Sequence, residues 1–168
     1  MIEPVFCRVM ARYNMWQNGS QLTAADKLDE SSRKKDRGAF FGSIQGTMNH
    51  LLWADRMWMS RLDGWSKPEG GTAESTAATA DWDSLKNERY IADTRILDWA
   101  LRLSVGDLDG DLVWFSGMLQ SDVRKPKWLC VQHFFNHQTH HRGQIHAMLT
   151  AARALPEDTD LFLMPEGE

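Results

Sequence analysis

Apolar residues recur at three- and four-residue steps along four long segments of the chain, which is the spacing of one face of an α-helix. The first segment shows the pattern in Ile2, Val5, Phe6, Val9, Tyr13 and Trp16. The spacing predicts four helices, at about Glu3–Lys27, Gly38–Leu62, Asp81–Leu103 and Pro126–Ala154. Because each helix must bury its apolar face against another element, the pattern predicts an all-α four-helix bundle.

Polar and glycine-rich connections separate the predicted helices. The stretches "KLDESSRKKDRG" and "DGWSKPEGGTAESTAATA" are typical of long loops. The third connection, "GDLDGDLVWFSGMLQSDVRKP", contains β-favouring residues and is predicted to be an extended connection or a short hairpin. There is no repeat and no sign of a second domain, so residues 1–168 are interpreted as one domain with a C-terminal tail at about 156–168.

The composition argues against several classes of function. The net charge is −4 and the one basic run is "SSRKKDR", so nucleic acid is not expected as a partner. No apolar run approaches the roughly 20 residues that cross a bilayer, so no membrane association is expected, and the N-terminal "MIEPVFCRVM" lacks the pattern of a signal peptide. Cys7 and Cys130 are too few for a disulfide framework, which favours a reducing, cytoplasmic location.

Five of the six histidines fall in one stretch of the predicted fourth helix, "VQHFFNHQTHHRGQIHAML". Each residue advances about 100° around a helix axis, which puts His137 and His141 on the inward face with Cys130, Phe134 and Met148. Two histidines four residues apart lie one above the other and can hold one metal ion. The spacing therefore makes His137 and His141 candidate metal ligands.

The other histidines of this stretch fit a single site less well. His146 lies about 180° from His137 and is expected to face solvent, whereas His140 and His133 lie about 60° and 40° away and would border the site. His133 and His137 also form an H-x-x-x-H pair. Both pairs stay open on spacing alone, and the alignment of His141 with the apolar stripe favours the 137/141 pair.

His50, in the predicted second helix, is the candidate third ligand, because firm binding of a metal by protein needs at least three ligands. Its helix face carries the small residues Ser43, Gly46 and Ala54. Small residues around a histidine are expected at the floor of a cavity, so access to the metal is predicted on this face.

Two polar neighbours have a candidate role. Gln144 lies about 20° from His137 and would orient an imidazole, although a hydrogen bond between helices explains it equally well. Asp55 interrupts the apolar face of the second helix, and a buried carboxylate needs a partner. We therefore expect a structural pair for Asp55 rather than a catalytic role, and no residue is assigned as a catalytic base.

Three blocks of the sequence resemble the DinB family of four-helix-bundle proteins: "YNMW", "GSIQGTMNHLLWADRMWMSRLDG" and "HFFNHQTHHRGQIHAML". The resemblance extends over most of the chain in the expected order. It implies a four-helix bundle of the DinB type and a three-histidine metal site at His50, His137 and His141. The related superfamily includes bacillithiol transferases and a mycothiol-dependent isomerase, which use a metal and a thiol cofactor.

These observations predict a metal-dependent enzyme that acts on a small molecule, either a thiol-dependent S-transferase or a hydrolase. Imidazole ligands suit zinc or nickel best, and iron, copper and cobalt are also compatible. A low-molecular-weight thiol is an expected second cofactor, and a homodimer is expected because related proteins commonly dimerise. The alternative is a non-catalytic stress-response protein that binds a ligand or a structural metal.

Overall fold

The computed structural model describes residues 2–166. In this part of the chain the helices and strands are α1 Pro4–Asp26, α2 Glu30–Lys34, α3 Ile44–Leu62, α4 Trp82–Arg102, β1 Asp111–Ser116, β2 Ser121–Pro126 and α5 Lys127–Ala151. Short 3-10 turns lie at Glu74–Ala77, Val105–Leu108 and Leu161–Leu163. Within these residues no helix combines the length and the apolar character needed to span a bilayer.

The four long helices predicted from the sequence are present as α1, α3, α4 and α5, and most of their ends lie close to the predicted positions. Side-chain caps define two of the starts. The Ser43 hydroxyl accepts a hydrogen bond from the Gly46 N–H, and the Asp81 carboxylate accepts one from the Ser84 N–H. Such caps satisfy N–H groups that have no partner within the helix.

The prediction that the second long helix begins near Gly38 is wrong, because α3 begins at Ile44. Gly38 and Gly42 have φ angles of 73° and 71°, in the left-handed region that a right-handed helix does not use. Ala39 and Gly42 form an isolated β-bridge. Residues 38–43 are therefore a tight turn, and Phe40 within it is 82% exposed.

The expectation of an all-α fold is wrong in one respect, since β1 and β2 form a small antiparallel hairpin that pairs Trp114 with Val123. The hairpin was one of the two alternatives for this connection. Its β-branched and aromatic residues favour a pleated conformation, and Gln120 turns the chain with a φ of 51°. The short helix α2 was not predicted, and the side chain of Asp29 caps it at the Ser32 N–H.

Each long helix packs against two of the others, with α1 and α3 both contacting α4 and α5. Their inward faces form the core cluster, where Ile44, Leu52, Ile96, Phe134 and Phe135 are fully buried. Removing such side chains from water is the main force that holds the helices together. The α3–α5 contact also brings His50 beside the histidine-rich helix.

A buried network of charged and amide side chains links the four long helices. Arg89 of α4 pairs with Asp55 of α3 at 2.6 Å and with Asp93, one turn further along α4, at 2.8 Å. Asn18 of α1 donates to Asp93, and Gln138 of α5 donates to Asp55. Burial raises the pKa of Asp93 to about 6 and also raises the pKa of Asp55. The expectation that Asp55 has a structural partner is confirmed.

The described part of the predicted tail lies along α1. Tyr13 Oη donates to the Thr159 carbonyl at 2.5 Å, and Trp16 Nε1 donates to the Glu157 carboxylate at 2.8 Å. Gln17 Nε2 donates to the Asp158 carbonyl at 2.9 Å. These contacts cover the face of α1 that the helices do not use.

Candidate metal site

Three imidazoles converge between α3 and α5. His50 comes from α3, and His137 and His141 lie one turn apart on α5. One ring nitrogen from each lies within 4.8 Å of the other two. The Nε2 atoms of His137 and His141 are 3.1 Å apart. The structure therefore brings together all three residues that the sequence proposed as metal ligands.

The Ser75 hydroxyl determines which ring nitrogen of His50 carries the proton. Ser75 Oγ lies 2.6 Å from the Thr72 carbonyl, to which its proton is donated. It also lies 2.8 Å from His50 Nδ1, so the oxygen accepts the Nδ1–H of that ring. The lone pair of His50 is then on Nε2, the nitrogen left for a metal.

Gln144 acts on His141 in the same way. Its Oε1 lies 2.8 Å from His141 Nδ1, and a carbonyl oxygen at that distance accepts the Nδ1–H. The amide nitrogen of Gln144 lies 3.2 Å from His140 Nε2, in agreement with this orientation of the amide. Of the two roles predicted for Gln144, orientation of an imidazole is the one that the structure shows.

The contact between His137 and His141 tests whether these residues fit a metal. With its proton on Nδ1, His141 presents an Nε2 lone pair to His137 Nε2 at 3.1 Å. His137 Nδ1 is buried and has no hydrogen-bond partner within residues 2–166. Two nitrogens bound to one zinc ion at about 2.0–2.1 Å lie roughly 3.0–3.4 Å apart. The donor atoms and this separation fit a divalent transition metal.

Burial keeps these imidazoles neutral. It lowers the pKa of His50 to about 4, with a further contribution from His141. It lowers the pKa of His137 to about 3, assisted by the neighbouring histidines His141 and His50. Burial lowers the pKa of His141 as well. At neutral pH the three rings therefore carry free lone pairs and need not lose a proton to bind a cation.

Solvent reaches the three histidines on the side of His137. His50 and His141 are 4% and 6% exposed, whereas His137 is partly exposed. Phe41 covers the opposite side, because its ring stacks on His50 with centroids 3.6 Å apart and lies 5.4 Å from His141. A substrate atom would therefore approach past His137.

The prediction that access opens at the small-residue face of His50 is wrong. A Cβ at Gly46 would lie only 2.7 Å from the Phe41 carbonyl oxygen, so the tight turn before α3 fills this space. Ala54, on the same face, is 4% exposed. A cavity of about 340 Å³ does border Ser43 and Gly46, but none of the three histidines lines it, so it gives no access to the metal site.

The remaining histidines lie outside the group of three. His133 and His140 are exposed, and the His133 ring lies 5.0 Å from the Trp58 ring. His146 is half-buried, so the expectation that it faces solvent is only partly met. Of the two H-x-x-x-H alternatives, the 137/141 pair is the one that lies together with His50.

Comparisons with known proteins agree with this fold. A scan against protein-family models matches residues 1–168 to the DinB family. The chain belongs to the DinB family. A crystal structure of a DinB-like protein from Bacillus cereus ATCC 10987 is similar, with a TM-score of 0.62 and 17% sequence identity over 85% of this chain and 90% of that chain. At this identity the similarity shows the DinB fold alone, and a search of curated proteins gives no match.

Two contacts of this DinB site were not predicted from the sequence. Ser75 falls in a stretch that the sequence predicts as a loop, and no local pattern indicates that it contacts a histidine 25 residues earlier. Phe41 falls inside the second long helix that the sequence predicts from about Gly38. The glycines on either side of it in "GAFFGS" were the available signal for a turn.

Ser75→Ala and Gln144→Ala are each expected to weaken metal binding by about 10- to 100-fold without removing a ligand. Each change takes away the acceptor that holds an Nδ1–H, so the imidazole rotates and changes tautomer more freely. The dissociation constant for zinc, measured by competition with a chromophoric chelator, checks this result. Ser66→Ala, at an exposed position of the same connection, is the matched control and should bind zinc as the wild type does.

The metal-free DinB protein is expected to lose stability as the pH falls from about 6.5 toward 4. Histidine in the unfolded chain has a pKa of about 6.5, whereas the pKa values of His50 and His137 in the folded protein are about 4 and 3. Between these values the unfolded state binds more protons, which lowers the free energy of unfolding by up to about 1.4 kcal/mol per pH unit for each histidine.

Urea unfolding at several pH values measures this effect. The double variant His50→Gln, His137→Gln lacks both titrating groups and should show a shallower decline than the wild type. Carboxylates such as Asp93 contribute equally to both proteins and cancel in the comparison. Equal slopes for the two proteins between pH 6.5 and 5 would contradict the lowered pKa values.

Proposed function

We propose that this protein binds one divalent transition metal through His50, His137 and His141 and uses it to act on a small molecule. The observation that carries the proposal is the convergence of three neutral imidazoles, two of which have their Nδ1 protons held by Ser75 and Gln144. Zinc and nickel are the metals we favour, because imidazole nitrogens suit both.

A catalytic role is supported by the number of ligands. Structural zinc sites are almost always closed by four protein ligands, whereas catalytic sites have three and leave a position for water or substrate. Within residues 2–166 the group contains three histidines and no cysteine or carboxylate as a fourth member. A divalent ion held in this way supplies Lewis acidity, which lowers the pKa of a coordinated thiol or water.

The surroundings favour a thiol over water as the nucleophile. Asp55, the buried carboxylate nearest along α3, is paired with Arg89 and Gln138 and is not free to act as a base. A thiol has an ordinary pKa of about 8.5, far below the value of about 15.7 for water, so it loses its proton with less help from a side chain. Thiol-dependent S-transfer is therefore our first reaction class, and hydrolysis is the alternative outcome.

The side chains around the histidines have defined roles in this proposal. Phe41 covers His50 and His141 and keeps water from that side. Trp53, with its ring 6.0 Å from that of His50, borders the site on α3. The substrate is held on the open side of His137.

Elemental analysis and cobalt substitution test the proposed function. Protein purified without a histidine tag should contain about one transition metal per chain. The visible spectrum of the cobalt form should change when azide or a small thiol such as 2-mercaptoethanol is added. A metal-loaded protein whose spectrum ignores every added ligand would favour the non-catalytic alternative, and a protein with no affinity for zinc, nickel or cobalt would refute the metal site.

We also propose a four-helix bundle that forms a homodimer in the cytoplasm. The ring of contacts among the four long helices supports the bundle.

Tyr90 and Leu101, which are 69% and 57% exposed on α4, offer an apolar surface for a second copy. Cys7 and Cys130 are free thiols, which supports a reducing compartment. Light scattering of the purified protein measures the oligomeric state.

A further inference from the structure

A cavity of about 650 Å³ lies outside the metal site, between α3, α4 and the connection that joins them. This volume is within the range of roughly 300–1,000 Å³ found for small-molecule sites. Trp53 and Trp65 provide aromatic walls, and none of the three site histidines lines the cavity. Trp53 is the one side chain that borders both this cavity and the three histidines as described above.

The aromatic walls are fixed before any ligand binds. Trp65 is 8% exposed, and its Nε1 donates to the Asp63 carboxylate at 2.9 Å. Trp53 Nε1 donates to the Glu69 carbonyl at 3.0 Å. A preformed site avoids the loss of side-chain freedom that normally opposes binding.

Arg95 is the cation held in a fixed place at the cavity. The Arg95 guanidinium lies over the Trp65 ring, with Cζ 3.8 Å from the ring centroid. Neither Arg95 nor Lys67 forms an ion pair within the described part of the chain, whereas Arg56 is paired with Glu88 at 2.6 Å. A guanidinium stacked on an indole is held in place and keeps its N–H donors available in the plane.

Glu69 and Glu74 also line the cavity, and their carboxylates balance the formal charges of Arg95 and Lys67, so the placement of the groups decides what is recognised. The Glu74 carboxylate accepts a hydrogen bond from the Gly71 N–H at 2.9 Å and is turned toward its own loop. Glu69 is exposed and contributes its backbone carbonyl to the wall. The guanidinium of Arg95, fixed on Trp65 and without an ion pair, is therefore the group at the cavity that is best placed to recognise an anion.

We propose that this cavity binds a small aromatic anion. Its ring packs against Trp53, and its carboxylate or sulfonate group accepts hydrogen bonds from Lys67 and from Arg95, which Trp65 holds in place. No metal-site histidine lines the cavity, although Trp53 borders both, so the cavity is present in the metal-free protein as well.

Calorimetry with two probes of matched shape tests the proposal on the metal-free protein. The probes are 1-naphthoate, which carries a charge, and 1-naphthamide, which does not. Wild type should bind 1-naphthoate about tenfold or more tightly than 1-naphthamide, the ratio expected when a hydrogen-bonded charge is recognised. Arg95→Met should remove most of this preference, and Lys67→Met should reduce it.

Two further variants locate the site. Arg61→Met is the matched control, because the Arg61 guanidinium also lies over an indole, 4.7 Å from the centroid of Trp58, but at a different place on α3. It should bind both probes as the wild type does. Ala78→Trp places an indole in the cavity and should abolish binding of both. Equal affinities of wild type for the two probes, or an unchanged preference in Arg95→Met, would overturn the proposal.

Discussion

Replacing His50 by alanine is expected to lower the affinity for zinc by more than about 100-fold. This loss is larger than the one expected for Ser75→Ala or Gln144→Ala, which remove only a hydrogen-bond partner of a ligand. The same loss is expected for His137→Ala and His141→Ala. The reason is the number of donors, since two imidazoles remain and two are too few for firm binding. Metal content after dialysis, together with chelator competition, measures the effect.

Two controls separate this result from a general effect of losing a histidine. His146→Ala, on the same helix but outside the group, should retain zinc with wild-type affinity. His133→Ala tests the second H-x-x-x-H pair and should also retain it. If folded His50→Ala keeps all of its metal, the metal is not held between α3 and α5. If His133→Ala alone loses metal, the ligands on α5 are His133 and His137 instead of His137 and His141.

Arg89→Met is expected to destabilise the protein by about 3–5 kcal/mol, the cost of breaking a buried ion pair by removal of one partner. Arg89 is 3% exposed and is the cation that faces both Asp55 and Asp93. Without it, two buried carboxylates either ionise without a partner or take up protons. Urea unfolding at pH 7 should therefore show a large fall in the midpoint concentration.

Arg102→Met is the matched control for this change. Arg102 lies on the same helix and pairs with Asp63 at 3.2 Å, but its side chain is 64% exposed. An exposed ion pair contributes less than about 1 kcal/mol, so this variant should unfold close to the wild type. A similar, small effect for both variants would mean that the buried network does not hold the helices together.

The sequence predicts well those features that depend on residues close together on a single helix. The periodicity of apolar residues located all four long helices because burial of one face needs a residue every three or four positions. His137, His141 and Gln144 share one helix, so rotation about a single axis was enough to relate them. Asp55 was recognised as paired because a buried carboxylate on an apolar face has few alternatives.

Contacts between segments that are far apart in the sequence do not follow from the periodicity of one helix. Arg89 as the partner of Asp55, and Ser75 as the acceptor for His50, depend on how α4 and a loop fold against α3. The turn at 38–43 is not evident from the sequence because the apolar "AFF" continues the helical pattern. Gly38 and Gly42 exclude a helix here because their φ angles are positive, which the apolar pattern does not reveal. The same turn places Phe41 over His50, which closes the route to the metal site that the sequence indicated on this face.

The turn Glu74–Ala77 contacts both the metal site and the cavity beside Trp53. Ser75 holds the Nδ1–H of His50 on one side, and Glu74 and Ala77 line the cavity on the other. If a ligand in the cavity shifts this turn, it changes the free energy of metal binding, and thermodynamic reciprocity then requires the metal to change the affinity for that ligand by the same factor. One short turn thus offers a route for heterotropic coupling in which an organic anion sets how firmly the metal is held.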